Sequence, residues 1–177
     1  MRVQRAFAFV DLSGFTLFTD EQGDEASVEV LSAFRREVRS VATDSGVRIA
    51  KWLGDGCMLV SVEPAQLVEA VVLLGRRLRA LSLPLPMHAG MAAGNVILLD
   101  GDDYVGSAVN LASRLSDAAR REEILATPGL GALVPPGATA TIVPDVAISG
   151  FVEPVAVVRV DIGAAEPAEP DRAALPG

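Results

Sequence analysis

Residues 47–53 (VRIAKWL) and 57–62 (CMLVSV) are two short β-branched and apolar-rich segments that flank Gly54-Asp55-Gly56. Runs of this length and composition read as strands, and the glycines between them leave room only for a tight hairpin. A hairpin pinned there constrains everything around it. Residues 5–12 alternate and read as a strand that ends at Asp11-Leu12-Ser13-Gly14. A short helix is predicted to begin over 15–18. A longer one spans 25–44, with Val28, Leu31, Phe34 and Val38 as its apolar stripe and Gly46 as its stop. Pro64 opens a helix over 64–80 whose stripe is Leu67, Val71, Leu74 and Leu78.

Downstream, residues 86–93 and 95–99 read as a second hairpin, 100–103 as a turn and 107–120 as an amphipathic helix. Ala108, Leu111, Ala112, Leu115 and Ala119 form that helix's buried stripe. A strand over 123–126, a helical turn or two over 128–134 and strands over 139–143 and 155–162 complete the pattern. The order predicts an α+β fold: a ferredoxin-like βαββαβ sandwich core with C-terminal strand additions, its helices lying over a mainly antiparallel sheet. In that core the first strand lies beside the hairpin, so Asp11 and Asp55 come close in space. The expected domain is 1–162. Residues 163–177 are rich in Ala, Pro and acid, lack periodicity and read as a disordered tail.

Composition narrows the function classes. Half of the 177 residues are apolar but only 5% are aromatic, so a core of Val, Leu, Ala and Ile is expected. A formal net charge of −8 offers no basic stripe for nucleic acid and disfavours anionic membrane surfaces. No apolar run approaches the roughly 18 residues of a membrane span. The run at residues 7–10 is too short for a signal sequence, and Asp11 interrupts it. A single cysteine, Cys57, rules out an internal disulfide framework and a zinc site built from Cys pairs. It reads as a small buried hydrophobe. A soluble, cytoplasmic protein is expected.

The chain has 14 arginines and one lysine, Lys51, four residues before Asp55. An ammonium is a point charge and a guanidinium a planar fork, so the choice carries chemical meaning. Asp11 and Asp55 converging at strand ends can bind hard divalent cations such as Mg2+ or Mn2+. The same residues also serve, without any metal, as a helix cap and a turn residue. Ser13, Gly14, Phe15 and Thr16 place backbone N–H groups at a helix start, a site suited to an anion such as a triphosphate. Ser13 stands where haloacid-dehalogenase-type phosphatases need a second Asp, which excludes that reading. No G-x-x-x-x-G-K-[ST] loop and no G-x-S-x-G elbow occurs. On the 107–120 helix, Asn110, Arg114 and Asp117 share a face. They can aim an amide and a guanidinium at one anionic centre, or form a solvated ion pair of small value. His88, the only histidine, reads as structural.

Residues 9–16 (FVDLSGFT), Lys51-x-x-Gly54-Asp55-Gly56, Asp103-Tyr104-Val105-Gly106 and Val109-Asn110-x-Ala112-x-Arg114 together resemble class III nucleotidyl cyclase catalytic domains. The motifs agree in order and spacing from about residue 5 to about 160, and residues 150–155 resemble the family's closing segment. The resemblance implies a cyclase homology domain that converts ATP to 3′,5′-cyclic AMP and pyrophosphate with two Mg2+ or Mn2+ ions per site. Asp11, Leu12 and Asp55 would lie at the metals. Lys51 and Asp103 would select adenine, Asn110 would orient the ribose and Arg114 would stabilise the transferring phosphate. Ser13, Gly14, Phe15 and Thr16 would lie against the substrate phosphates. In the family the metal pair and the Lys/Asp/Asn/Arg set come from opposite subunits, which implies a homodimer. Two departures stand out. Ser149 replaces a common triphosphate lysine, and Ala92 stands where a histidine is frequent. A cyclase of another base (GTP or a pyrimidine triphosphate) and a catalytically weak module that binds nucleotide or dimerises are the alternatives.

Overall fold

The computed structural model describes residues 1–99, 103–144, 148–151 and 154–163. Among them the strands form one sheet in the order β2-β3-β1-β4-β6-β8-β7. Strand β1 (Arg2–Leu12) is central. It runs antiparallel to β3 (Gly56–Ser61) on one side and to β4 (Met87–Leu99) on the other. Strand β2 (Arg48–Leu53) closes the hairpin with β3, leaving only Gly54 and Asp55 in the turn. This is the expected βαββαβ core. Strands β6 (Ile124–Ala126), β7 (Thr139–Val143) and β8 (Val157–Asp161) extend the sheet, with β6 parallel to β4.

Alternation along β1 splits the core in two. Ala6, Ala8, Val10 and Leu12 enter the larger cluster, under helices α1 (Phe15–Ser45) and α2 (Pro64–Ala80). Phe7 enters the smaller cluster on the opposite face, under α3 (Ser107–Ala118). Asp11 has the parity of Phe7 and therefore faces the α3 side. Helix α2 is buried along most of its circumference, through Leu67, Val68, Ala70, Val71, Val72, Leu74 and Leu78. Each of the Val and Leu side chains contributes about 1.5–3 kcal/mol of apolar burial. No helix of the described residues is long and apolar enough to cross a membrane.

Several expectations are corrected. The first helix is continuous from Phe15 to Ser45 except at Gly23, whose φ of 84° and ψ of 173° break the helical path. The stripe beyond the break is Ser27, Val30, Phe34, Val38 and Val41, and Val28 is 62% exposed. Gly94 does not turn a hairpin. It pairs with Arg5 inside β4, because β1 offers a ladder that holds eleven residues of β4, Met87 to Ile97, extended. The real hairpin joins β4 to β5 (Asp103–Val105), so Asp103 is a strand residue. Residues 100–102 of the expected turn lie outside the described residues, as do 164–177 of the expected tail. Helix α3 ends at Ala118. Its buried face includes Ser116, and Leu111 and Ala119 are only half-buried. The last strand spans Val157–Asp161, and α4 is the short Pro128–Gly131.

Helix α3 packs unusually close to β4 because Gly90 lies beneath it. A Cβ there would sit within 2.6 Å of Ser116 N, Ala112 O and Leu115 C. Gly90→Ala is expected to lower stability by about 1–3 kcal/mol through overpacking. Gly129→Ala, where a Cβ meets nothing within 4 Å, is expected to stay within about 0.5 kcal/mol. Urea unfolding of both variants measures the difference.

Candidate active site

The end of the central strand places Asp11 between two neighbours. It pairs with Gly56 of β3 and with His88 of β4. Gly56 makes space for the carboxylate, since a Cβ there would stand 2.5 Å from Asp11 Oδ1. That oxygen is buried and has no hydrogen-bond partner. Burial first, and the charge of Asp55 second, push the Asp11 carboxyl from its ordinary 3.8 up to about 6. The backbone N–H of Leu12 works in the other direction, and Asp117 adds to the rise. The turn therefore brings Asp55 within electrostatic reach of Asp11, as the strand order predicted.

An unpaired carboxylate oxygen beside a second carboxylate is an uncompensated negative site, and a hard divalent cation fits it. Among the described residues no group of three or more His, Cys, Asp or Glu is arranged to hold a metal. The two aspartates therefore offer a partial coordination sphere, the kind that substrate oxygens complete. Leu12 is 2% exposed and packs in the core, so its side chain offers nothing to a ligand. Cys57 is a fully buried residue of β3 that pairs with Val10. Burial, and then the charge of Asp11, push its thiol up to about 12, so it is inert.

The loop after Asp11 is anchored from β4. Ser13 N donates to Pro86 O at 2.8 Å, and Ser13 Oγ shares a 3.0 Å hydrogen bond with His88 Nδ1. Burial pushes the His88 imidazole down, against the pull of Asp55 and Asp117. The Ser13 amide is thus already used. The open donors are those of the following helix start, which has no side-chain cap. Gly14 adopts the left-handed φ of 82° that redirects the chain into α1. Thr16 is exposed, and Phe15 packs against the larger core cluster. Sequence reasoning read His88 as structural but gave it no partner. The alternation of β4 with Asp11's neighbour is the signal that could have found it.

A second group lies on the α3 face. Lys51 Nζ donates to Asp103 Oδ1 at 2.6 Å across 52 residues of sequence. A bulge in β2 makes this possible. The register steps from Ile49↔Leu59 to Lys51↔Met58, leaving Ala50 as the extra residue. Without that step Lys51 would oppose Cys57 and face α1; with it, Lys51 shares the face of Met58. The hydrogen bond from Lys51, and then its charge, hold the Asp103 carboxyl below the usual range. Tyr104 stacks edge-on against Phe7 and accepts a 2.7 Å hydrogen bond from Arg48. On α3, Asn110 is exposed, and Arg114 Nη1 meets Asp117 Oδ2 at 3.2 Å with both side chains more than half exposed. Ser149 is exposed in a turn next to Gly150, and Val152 and Glu153 of the closing segment lie outside the described residues.

Because the Asp11 carboxyl is raised in the folded state, that state binds the extra proton, and its ionisation costs stability as pH rises from about 4 through 6. Partial exposure discounts the effect to about 1 kcal/mol. Asp11→Asn is expected to raise the thermal midpoint at pH 7 without metal, with the gain fading by pH 4. Calorimetry of both proteins across that range checks it.

No protein-family model matches the chain. It is 39% identical over 127 residues to the uncharacterized protein Rv2212 of Mycobacterium tuberculosis, covering 72% of this chain and 33% of that protein. It is 34% identical over 125 residues to the pH-sensitive adenylate cyclase MT1302 of the same species, covering 69% of this chain and 30% of that one. The chain thus spans about a third of the length of the curated relatives it matches. Its fold superimposes on the adenylyl cyclase CyaB of P. aeruginosa with a TM-score of 0.78 and 25% identity, covering 91% of this chain and 95% of that one. With the two aspartates, the Lys51–Asp103 pair and the Asn110/Arg114 helix all built on this fold, the chain belongs to the class III nucleotidyl cyclase family.

Proposed function

We propose that the chain is an adenylyl cyclase, converting ATP to 3′,5′-cyclic AMP and pyrophosphate in sites shared across a homodimer. The observation that carries this reading is the Lys51–Asp103 pair at 2.6 Å, supported by a strand bulge and left exposed on the α3 face. An ammonium beside a carboxylate complements adenine, whose ring nitrogens accept and whose exocyclic amino group donates. Guanine presents a carbonyl oxygen and a ring N–H and needs the reverse. The relatives named adenylate cyclases support the same reading.

Class III cyclases use divalent cations, and Asp11, Asp55 and the Leu12 carbonyl would hold them here. Bound Mg2+ or Mn2+, two ions per site in this reading, supplies charge neutralisation for the triphosphate and acidifies the ribose 3′-hydroxyl. The chain's own groups do the rest. The amides at the start of α1 receive phosphate oxygens. Asn110 holds the ribose so that its 3′-oxygen lies in line with the α-phosphorus. That oxygen forms the new P–O bond while the bond to the bridging oxygen breaks. Pyrophosphate leaves with the bonding electrons, and the hydroxyl proton passes to solvent. Arg114 donates to the α-phosphate oxygens as charge builds on them. Its exposed pairing with Asp117 is weak enough to exchange for a phosphate.

Among the described residues no hydrogen bond or ion pair joins Asp11 or Asp55 to Lys51, Asp103, Asn110 or Arg114. The shared sites implied by the family resemblance would need two copies related by a two-fold axis. Ser149, exposed where the family commonly has lysine, supports a second reading: low turnover, or nucleotide binding without efficient chemistry.

Incubating the purified chain with each nucleoside triphosphate and Mn2+ and weighing the products tests the reaction. Cyclic AMP from ATP is expected, and its absence, with another cyclic nucleotide or none in its place, overturns the assignment. Asp55→Ala is expected to reduce turnover at least 100-fold. Mixing inactive Asp11→Ala with inactive Arg114→Ala is expected to restore partial activity, since one of the two sites of a mixed dimer then keeps every group. No recovery in verified mixed dimers counts against shared sites.

A further inference from the structure

The turn that carries Asp55 is gripped from α1 by a residue that the mechanism above does not use. Arg35 Nη2 donates to Gly54 O at 2.9 Å. The hairpin ladder from Arg48↔Val60 to Leu53↔Gly56 is already closed without this bond. Only Gly54 and Asp55 lie beyond it, so the bond acts on the tip and not on the strands. The carbonyl of Gly54 and the N–H of Asp55 belong to one rigid peptide plane. A donor fixed on Gly54 O therefore fixes the plane from which the Asp55 side chain springs. Gly54 sits at φ of 68°, where glycine is otherwise free to rotate.

The donor itself is confined. The Arg35 guanidinium lies 5.1 Å from the centroid of the Trp52 ring, and Arg39 approaches the same ring at 5.2 Å. Trp52 packs against the larger core cluster, so the platform is rigid. Arg35 Nε is buried without a hydrogen-bond partner. The guanidinium is thus held by stacking and by the Gly54 carbonyl, and among the described residues no salt bridge joins it to a carboxylate. Lysine has neither the planar face for the ring nor the fork.

We propose that Arg35 is the positioning residue for Asp55, with Trp52 as its platform. The proposal rests on the assignment of Asp11 and Asp55 to divalent cations made above. It gives an arginine on the first helix control over how well the hairpin carboxylate meets a cation, with no contact of its own to the substrate.

The test uses the purified chain, wild type and as Arg35→Lys, Arg35→Gln and Trp52→Leu. Binding of Mn2+ is followed by the electron paramagnetic resonance of the free ion, and amide hydrogen exchange is followed at residues 54–56. Both Arg35 variants are expected to bind Mn2+ about 10–100-fold more weakly. Exchange at Asp55 and Gly56 is expected to quicken while Leu59 and Val60 stay protected. Trp52→Leu, which keeps the donor and removes the platform, is expected to fall between. Arg35→Lys with wild-type Mn2+ affinity and wild-type exchange at the tip overturns the proposal. Wild type that fails to bind Mn2+ both alone and with 3′-deoxy-ATP supplying the missing ligand oxygens, each against a protein-free control, overturns the metal assignment and the proposal together, a result distinct from intact binding that Arg35 does not influence.

Discussion

The structure depends on the double pairing of β1. From Leu12↔Met87 to Arg2↔Ile97 this strand is bonded to β4 along its whole length, and from Ala6 to Asp11 it is bonded to β3 as well. A strand held on both edges cannot slip, and its even and odd residues are committed to opposite faces. The last polar residue before the chain leaves the sheet is Asp11. Its neighbours on both sides pin its backbone, so the carboxylate remains half-buried with one oxygen unpaired. A free strand end would swing that group into water. Here the hydrophobic gain of the central strand holds it in place, and the cost appears as the raised carboxyl pKa.

Around that carboxylate the fold arranges two kinds of electrostatic setting. Asp11 and Asp55 are partly buried and mutually repulsive, which favours a cation with a high charge density. Lys51–Asp103 and Arg114–Asp117 are exposed pairs, each already neutral overall. Exposed pairs contribute little to stability and exchange partners readily. The first setting suits permanent tension relieved by an ion. The second suits groups that wait for a substrate and rearrange at low cost. Anchoring follows the same division. Pro86 and His88 hold the loop after Asp11 and Arg35 holds the tip before Asp55, whereas Asn110 and Arg114 stand on an exposed helix face.

Local signals were readable where one residue type has one physical use. Pro64 at a helix start, Gly46 in the left-handed region after Ser45 and Gly54-Asp55 as a two-residue turn all lie where the sequence places them. Val28 misled because a period of 3.6 tolerates a rotation of one residue. Gly23 breaks the helix and resets which flank meets the sheet. Gly94 misled because glycine signals a turn only when no long partner strand is available, and β1 supplies one. His88 was passed over because nothing local links it to Ser13; the two are 75 residues apart and meet only through β1–β4 pairing.

The sequence alone determined the element order from β1 through α2, the helix over α3 and the spacing that carries the family likeness, since each is a property of short segments. Tertiary structure decided which face each residue serves. The bulge at Ala50 turns Lys51 toward Asp103, the flush packing of α3 requires Gly90, and the reach of Arg35 to Gly54 crosses from helix to hairpin. The physical reason is common to all three. Side-chain direction in a sheet alternates residue by residue, so one inserted residue or one close backbone contact reverses or permits a whole arrangement. Such an event is set by packing between segments and leaves no mark in either one.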